Sequence, residues 1–160
     1  MKDPRPSAYL DALHLLARRE LSVAQLRARL VDREHDPAEI DRAVEHLLET
    51  GALNDARMAR AYAERALKVK GRGRLRIQRE LSAMGIDRDV AAEALGETFG
   101  DVDERSLIRK ALEKKLHGRR KLATQAEYAR VYQFLMRQGF SAATVALVLR
   151  SYRKGSDPLE

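Results

Sequence analysis

The hydrophobic positions of this chain recur at intervals of three and four residues. Leu10, Leu13 and Leu16 show this spacing near the N-terminus, and such spacing places side chains on one face of an α-helix. Nowhere does a β-branched run alternate with polar residues at a period of two. The pattern therefore predicts an all-α protein.

Capping residues and glycines divide the chain into nine predicted helices. Ser22 with Gln25 three residues later is a capping box, and Asp36-Pro37 followed by Glu39 is a typical helix start. Glycine permits the left-handed backbone that ends many helices. The predicted helices begin at Ser7, Ser22, Asp36, Asn54-Asp55, Arg74, Asp87, Asp101–Glu104, Thr124 and Ser141, and the last ends by Gly155. Glycine ends are predicted at Gly51, Gly85, Gly118 and Gly139.

One spacing of apolar residues and caps occurs three times. Two apolar residues four apart are followed six residues later by a cap, and another apolar residue lies eight positions beyond the cap. Residues four apart lie on one helix face, and a constant distance to the next cap gives a constant turn. The three sets are Leu26, Leu30, Asp36, Val44; Ile77, Leu81, Asp87, Leu95; and Val131, Leu135, Ser141, Leu149.

This spacing predicts three tandem three-helix repeats, at residues 7–53, 54–100 and 101–155. The second and third carry a glycine and a large apolar residue before the cap, at Gly85-Ile86 and Gly139-Phe140, where the first has Glu34-His35. Each repeat has too small a core to be very stable alone, so neighbouring repeats are expected to share contacts.

Charge is unevenly distributed along the chain. The formal net charge is +7, yet residues 1–60 carry 10 Lys/Arg against 11 Asp/Glu, so the excess lies in residues 61–160. A basic region of this kind favours a polyanionic partner, either nucleic acid or an acidic protein surface. Cysteine is absent, which excludes disulfides and thiolate metal sites. Neither a signal peptide nor an apolar run of about 20 residues is present, so we expect a soluble cytoplasmic protein.

The most basic stretch, KVKGRGRLRIQRE at residues 68–80, contains two glycines but matches no nucleotide-binding motif. The third position after Gly73 is Arg76 where a dinucleotide fingerprint needs glycine, and the spacing of a P-loop is absent. Ile77 and Leu81 are assigned to the buried face, which leaves the arginines outward. Because anions are also favoured at a helix N-terminus, the stretch is a candidate polyanion contact.

A second basic block covers residues 105–121, and its helical part places residues four apart on one face. The candidate contact residues of both blocks are Lys68, Lys70, Arg72, Arg74, Arg76, Arg79, Arg105, Arg109, Lys110, Lys114, Lys115, Arg119, Arg120 and Lys121.

Catalytic and metal-binding patterns are missing from the sequence. The histidines His14, His35, His46 and His117 lack the spacing of a zinc helix. Serine and threonine residues at helix starts are explained as caps, so no enzyme, metal or cofactor is predicted. Tyr62, Tyr128, Tyr132 and Phe134 lie on helices, where packing against the core is expected; stacking of Tyr128 or Tyr132 on a base is the alternative.

Three segments resemble the RecX family of regulators of the RecA recombinase. They are ARRELSVAQLRARL at residues 17–30, TGALNDARMARAYAERAL at 50–67 and KGRGRLRIQRELSAMGID at 70–87. Members often carry a proline in the glycine turn, where this chain has Arg72-Gly73-Arg74. The similarity weakens after about residue 100.

The resemblance implies an elongated, curved array of three-helix repeats without catalytic activity. It also implies binding to RecA filaments on DNA, with inhibition of filament extension, strand exchange and ATP hydrolysis in DNA repair and recombination. Weak, non-specific binding to single- and double-stranded DNA is a further implication. The residues themselves leave one alternative open, a helix-turn-helix-like transcription regulator. Such a protein usually dimerises, and because no dimerisation seam is visible we expect a monomer.

Overall fold

A computed structural model of the chain describes residues 7–154. Over this range the fold contains nine α-helices and no strand, as the sequence predicts. The helices are α1 (Ala8–Arg18), α2 (Val23–Asp32), α3 (Pro37–Glu49), α4 (Asp55–Lys68), α5 (Arg74–Ala83), α6 (Arg88–Phe99), α7 (Glu104–Lys115), α8 (Gln125–Gln138) and α9 (Ala142–Lys154). The predicted end of the last helix at Gly155 lies outside the described residues.

The predicted helix starts are confirmed in atomic detail at several caps. Ser22 accepts a hydrogen bond from the Gln25 N–H, and the Gln25 side chain accepts from the Ser22 N–H, which completes the capping box. Asp36 caps α3 with Pro37 in its first turn. At Ser141, the predicted start of α9, the N–H and the hydroxyl instead donate to the carboxylate of Glu104, at 2.8 Å each.

The three predicted sets of apolar residues all lie in the protein interior. Each of the nine side chains is at most 4% exposed. A common turn follows the second helix of each set, in which an N–H donates to a carbonyl five residues earlier. These bonds join His35 to Leu30 (3.2 Å), Ile86 to Leu81 (3.1 Å) and Phe140 to Leu135 (3.4 Å). The repeat predicted from spacing is therefore present in the backbone.

The first copy adopts this turn although its sequence differs from the others. Glu34 has a φ of 61°, in the left-handed region where the other copies have Gly85 and Gly139. His35 occupies the position of the buried Ile86 and Phe140. Its ring is only 6% exposed, so a polar group has replaced an apolar one in the interior.

The chain folds into two compact units. The N-terminal unit comprises Met1–Tyr62 with Glu80–Ala94, and the C-terminal unit comprises Ala63–Arg79 with Leu95–Glu160. Because the division passes through α4, α5 and α6, the middle helices contribute to both units. The boundaries of the three repeats remain a prediction.

Each unit has its own apolar core. In the N-terminal unit α1, α2 and α3 pack together around Leu26, Leu30 and Leu47. In the C-terminal unit α7 and α8 pack on α9 around Leu112 and Leu135, together with other buried aliphatic residues.

A buried carboxylate in the N-terminal unit compensates for the buried histidine. Asp11 accepts a hydrogen bond from Arg33 Nη1 at 2.6 Å, and its second oxygen lies 2.7 Å from His35 Nε2. Burial raises the pKa of Asp11, but the hydrogen bond with His35 and the positive charge of Arg33 outweigh that effect. The pKa therefore lies below its ordinary value of 3.8.

Replacement of this carboxylate is expected to give a pH-dependent loss of stability. Because its folded-state pKa is lowered, ionised Asp11 stabilises the fold above pH 3.8, and this contribution disappears as pH falls through the lower folded value. We expect Asp11→Asn to lower the free energy of unfolding by about 2 kcal/mol at neutral pH. Urea unfolding followed by circular dichroism measures the loss, which should vanish in strong acid.

The matched control is Asp41→Asn. Asp41 also pairs with an arginine, Arg27, at 2.6 Å, but its side chain is 67% exposed. Surface pairs of this kind contribute about 0–1 kcal/mol. Equal losses for the two variants would contradict a special role of Asp11.

Candidate polyanion-binding surface

Both basic blocks of the sequence belong to the C-terminal unit. The first lies in residues 68–79 and the second in residues 105–121. Most of their side chains are exposed: Lys68, Lys70, Arg74, Arg79, Arg105, Arg109, Lys110, Lys114, Lys115, Arg119, Arg120 and Lys121. Arg72 and Arg76 are instead half-buried, so the expectation that all arginines of the first block face outward is wrong for these two.

The glycine turn of the first block is held against the end of α8. The N–H of Gly73 donates to the carbonyl of Gln138 at 2.7 Å, and the N–H of Leu75 donates to the carbonyl of Gly139 at 3.1 Å. The first amides of α5 thus meet the last carbonyls of α8, which satisfies orphan groups on both helices. Because these amides already have partners, anion binding in this block depends on the side-chain charges.

Two glycines make this approach possible. A Cβ on Gly139, whose φ is 97°, would lie 2.4 Å from both the N and the Cβ of Arg76. A Cβ on Gly73 would lie 2.5 Å from the carbonyl group of Gly139. Arg76 is therefore a packing residue at this crossing, and its Nη1 also lies 3.4 Å from the Arg137 carbonyl oxygen.

The second block follows the outer side of α7 and the turn after it. Ile108, Leu112 and Leu116 face the core of the C-terminal unit, which leaves the intervening basic residues exposed. The exposure of these side chains is compatible with the predicted polyanion contact, which stays a prediction.

A groove of about 590 Å³ opens where this block meets α8. Its lining contains the cationic side chains of Lys115, Arg119, Arg130 and Arg137 and the single carboxylate of Glu127. Phe134 adds an aromatic ring, and the Lys115 Nζ lies 4.7 Å from the centre of that ring.

Two of these cations, Arg130 and Arg137, were not among the predicted contact residues. They are seven residues apart on α8, which places them on one helix face two turns apart. A search for charges at helical spacing could have found them. A search for continuous runs of basic residues could not find them, because mostly apolar residues lie between Arg130 and Arg137.

Glu127 accepts hydrogen bonds both from the backbone just before α8 and from an arginine of the groove. One carboxylate oxygen accepts from the Ala123 N–H at 2.9 Å, and the other accepts from Arg119 Nη2 at 2.7 Å. The Ala123 N–H, together with Arg119, lowers the pKa of Glu127 below its ordinary value despite some desolvation. The carboxylate is therefore ionised at neutral pH, and it forms an ion pair with Arg119.

The aromatic residues of α8 lie where packing predicts. Tyr128, Tyr132 and Phe134 are partly buried against the core of the C-terminal unit. Tyr128 and Tyr132 stack on each other with ring centres 6.5 Å apart. In the N-terminal unit the Tyr62 hydroxyl donates to Glu80 at 2.7 Å.

Residues 7–154 contain neither a metal-binding cluster nor a membrane-spanning helix. Within this range no group of three or more histidine, aspartate or glutamate residues is placed to hold a metal ion. Over the same part of the chain, no helix is long and apolar enough to span a membrane.

The fold and its surface define a class of protein, a tandem three-helix array with a basic C-terminal unit. Family models of the first, second and third three-helix domains of RecX match residues 8–47, 54–95 and 103–149. The chain belongs to the RecX family.

Known relatives cover most of the chain. A protein named Regulatory protein RecX from Halorhodospira halophila is 36% identical over 134 residues, 84% of this chain and 81% of the relative. A protein of the same name from Vibrio parahaemolyticus is 32% identical over 146 residues, 91% and 92% of the two chains.

Solved structures agree with the fold. The crystal structure of RecX from Lactobacillus salivarius superposes with a TM-score of 0.70 and 20% identity, over 89% of this chain and 92% of that chain. A second structure, titled regulatory protein RecX, gives a TM-score of 0.73 with 17% identity and covers 89% and 70%. At these identities the likeness concerns the fold alone.

Proposed function

We propose that this chain regulates the RecA recombinase by binding the RecA–DNA filament. The observation that carries the proposal is membership of the RecX family over most of the chain, with relatives named regulatory proteins. The protein acts without catalysis: it limits filament extension, strand exchange and ATP hydrolysis, and so regulates recombination and DNA repair in the cytoplasm.

The uneven charge supports different contacts for different parts of the chain. The basic surface of the C-terminal unit faces the DNA phosphates and acidic protein surface, because lysine and arginine gain affinity by releasing condensed counterions. Residues 1–60, which carry nearly balanced charge, contact protein. Binding across subunits then favours one conformation of the filament or blocks its growing end.

The same electrostatics governs binding to bare DNA. A surface of exposed lysines and arginines contacts phosphates without reading bases, so affinity for single- and double-stranded DNA is weak, non-specific and steeply dependent on salt. The protein binds as a monomer.

The direct test is the ATPase activity of RecA on single-stranded DNA with substoichiometric amounts of this protein. We expect the rate to fall and the filaments seen by electron microscopy to shorten, because one bound molecule affects many subunits. RecA with ATP but no DNA is the control, since no filament on DNA is then present. An unchanged rate and filament length would refute the proposal.

A further inference from the structure

The groove between the end of α7 and α8 combines positive charge with an aromatic ring. Arg130 and Arg137 are exposed on α8, and Lys115 and Arg119 face them from the end of α7 and the following turn. Phe134 lines the groove between these walls. A volume of about 590 Å³ falls in the range of ordinary ligand sites, which is roughly 300–1,000 Å³.

We propose that this groove binds the backbone of a single-stranded nucleic acid. Proteins that bind single strands without sequence preference combine a positive groove with aromatic rings on which bases stack. A duplex keeps its bases inside and could use only the cations, so the ring of Phe134 in the groove lining favours a single strand. On binding, Lys115 turns from the ring to a phosphate and leaves the ring to a base.

The carboxylate of Glu127 competes with an incoming phosphate for the cations of the groove. Its carboxylate holds Arg119 at 2.7 Å, and Arg130 also lowers its pKa, so it is an anion among the groove's cations. An incoming phosphate must take Arg119 from Glu127 and approach a negative charge. The carboxylate therefore lowers the affinity of the groove for the strand.

This inference rests on the proposed function, in which the chain meets DNA inside a filament, but it is tested without RecA. Fluorescence anisotropy of a labelled oligodeoxythymidylate measures the affinity of the full chain at salt concentrations between about 50 and 200 mM. We expect Arg130→Ala with Arg137→Ala to weaken binding about tenfold at low salt, and to reduce the salt slope by about 1.4 for two lost phosphate contacts.

Glu127→Gln tests the competitor. Glutamine keeps the shape but has a single acceptor oxygen, so it can accept from the Ala123 N–H or from Arg119 but not from both. The Thr124 side chain, which accepts from the N–H of residue 127, still caps α8. The lost charge is expected to raise affinity about two- to fivefold. Weaker binding by this variant would overturn the role of Glu127.

The aromatic contribution is tested separately by Phe134→Leu. An abasic strand of equal length offers phosphates without bases, so the variant should weaken binding of oligodeoxythymidylate but not of the abasic strand. Equal loss on both strands, or tighter binding of a duplex than of a single strand, would overturn the choice of ligand.

The matched control removes two exposed arginines from the N-terminal unit, Arg18→Ala with Arg42→Ala. It changes the net charge equally and should leave binding within about twofold of the parent. If the Arg130 and Arg137 variant behaves like this control, the groove is not the site. In that event RecA inhibition by the unchanged protein would still support the proposed function, so the two failures are distinguishable.

Discussion

Gly139→Ala is expected to lower the free energy of unfolding of the C-terminal unit by about 2–5 kcal/mol. Two costs add. A left-handed φ of 97° strains any residue with a Cβ, by about 1–2 kcal/mol. The new methyl would also lie 2.4 Å from the N and Cβ of Arg76, and overpacking of this kind costs about 1–3 kcal/mol. Urea unfolding followed by circular dichroism measures the sum.

Gly118→Ala separates the two costs. Gly118 lies in the same unit with a similar φ of 82°, but a Cβ there meets no atom within 4 Å. Only the backbone strain of about 1–2 kcal/mol applies. If α5 and α8 are closely packed at Gly139, Gly139→Ala should lower the free energy of unfolding clearly more than Gly118→Ala. Equal losses would show that α5 leaves room for a methyl group at this position.

The helices and their repeat could be predicted because their signals are local. Ser22 and Asp36 cap helices through atoms two or three residues away, and Leu30 and Leu81 lie on buried faces fixed by helical spacing. The left-handed Glu34 could not be predicted, since its own residue type disfavours that conformation. The adjacent His35 is buried against Asp11, a residue from another helix, and that tertiary contact is not visible in the sequence either.

The sequence was sufficient to predict which residues make the candidate surface basic, but not how these residues are arranged in space. The sequence indicates which blocks are basic, and burial agrees for most of their members. It does not show that Arg76 packs on Gly139, because that contact joins residues far apart in the chain. For the same reason it does not reveal that Arg130 and Arg119 line one groove with Glu127.

Removal of exposed charge from both basic blocks should cause the largest loss of function. Arg74 and Arg79 lie on α5, and Arg105 and Arg109 lie on α7; all four are exposed, so alanine leaves the core intact. With all four replaced by alanine, we expect the concentration that half-inhibits the RecA ATPase to rise on the order of 100-fold. The salt slope of single-strand binding should fall by about 3, since each lost phosphate contact removes about 0.7.

The control removes four exposed arginines from the N-terminal unit, with Arg18, Arg19, Arg42 and Arg88 each replaced by alanine. Net charge changes equally in the two variants, so a general loss of attraction to DNA would affect both alike. A surface contact instead weakens only the first, because phosphate attraction is screened beyond about 10 Å at ordinary salt. Equal inhibition by the two variants would therefore show that net charge, and not the basic surface of the C-terminal unit, governs binding to the filament.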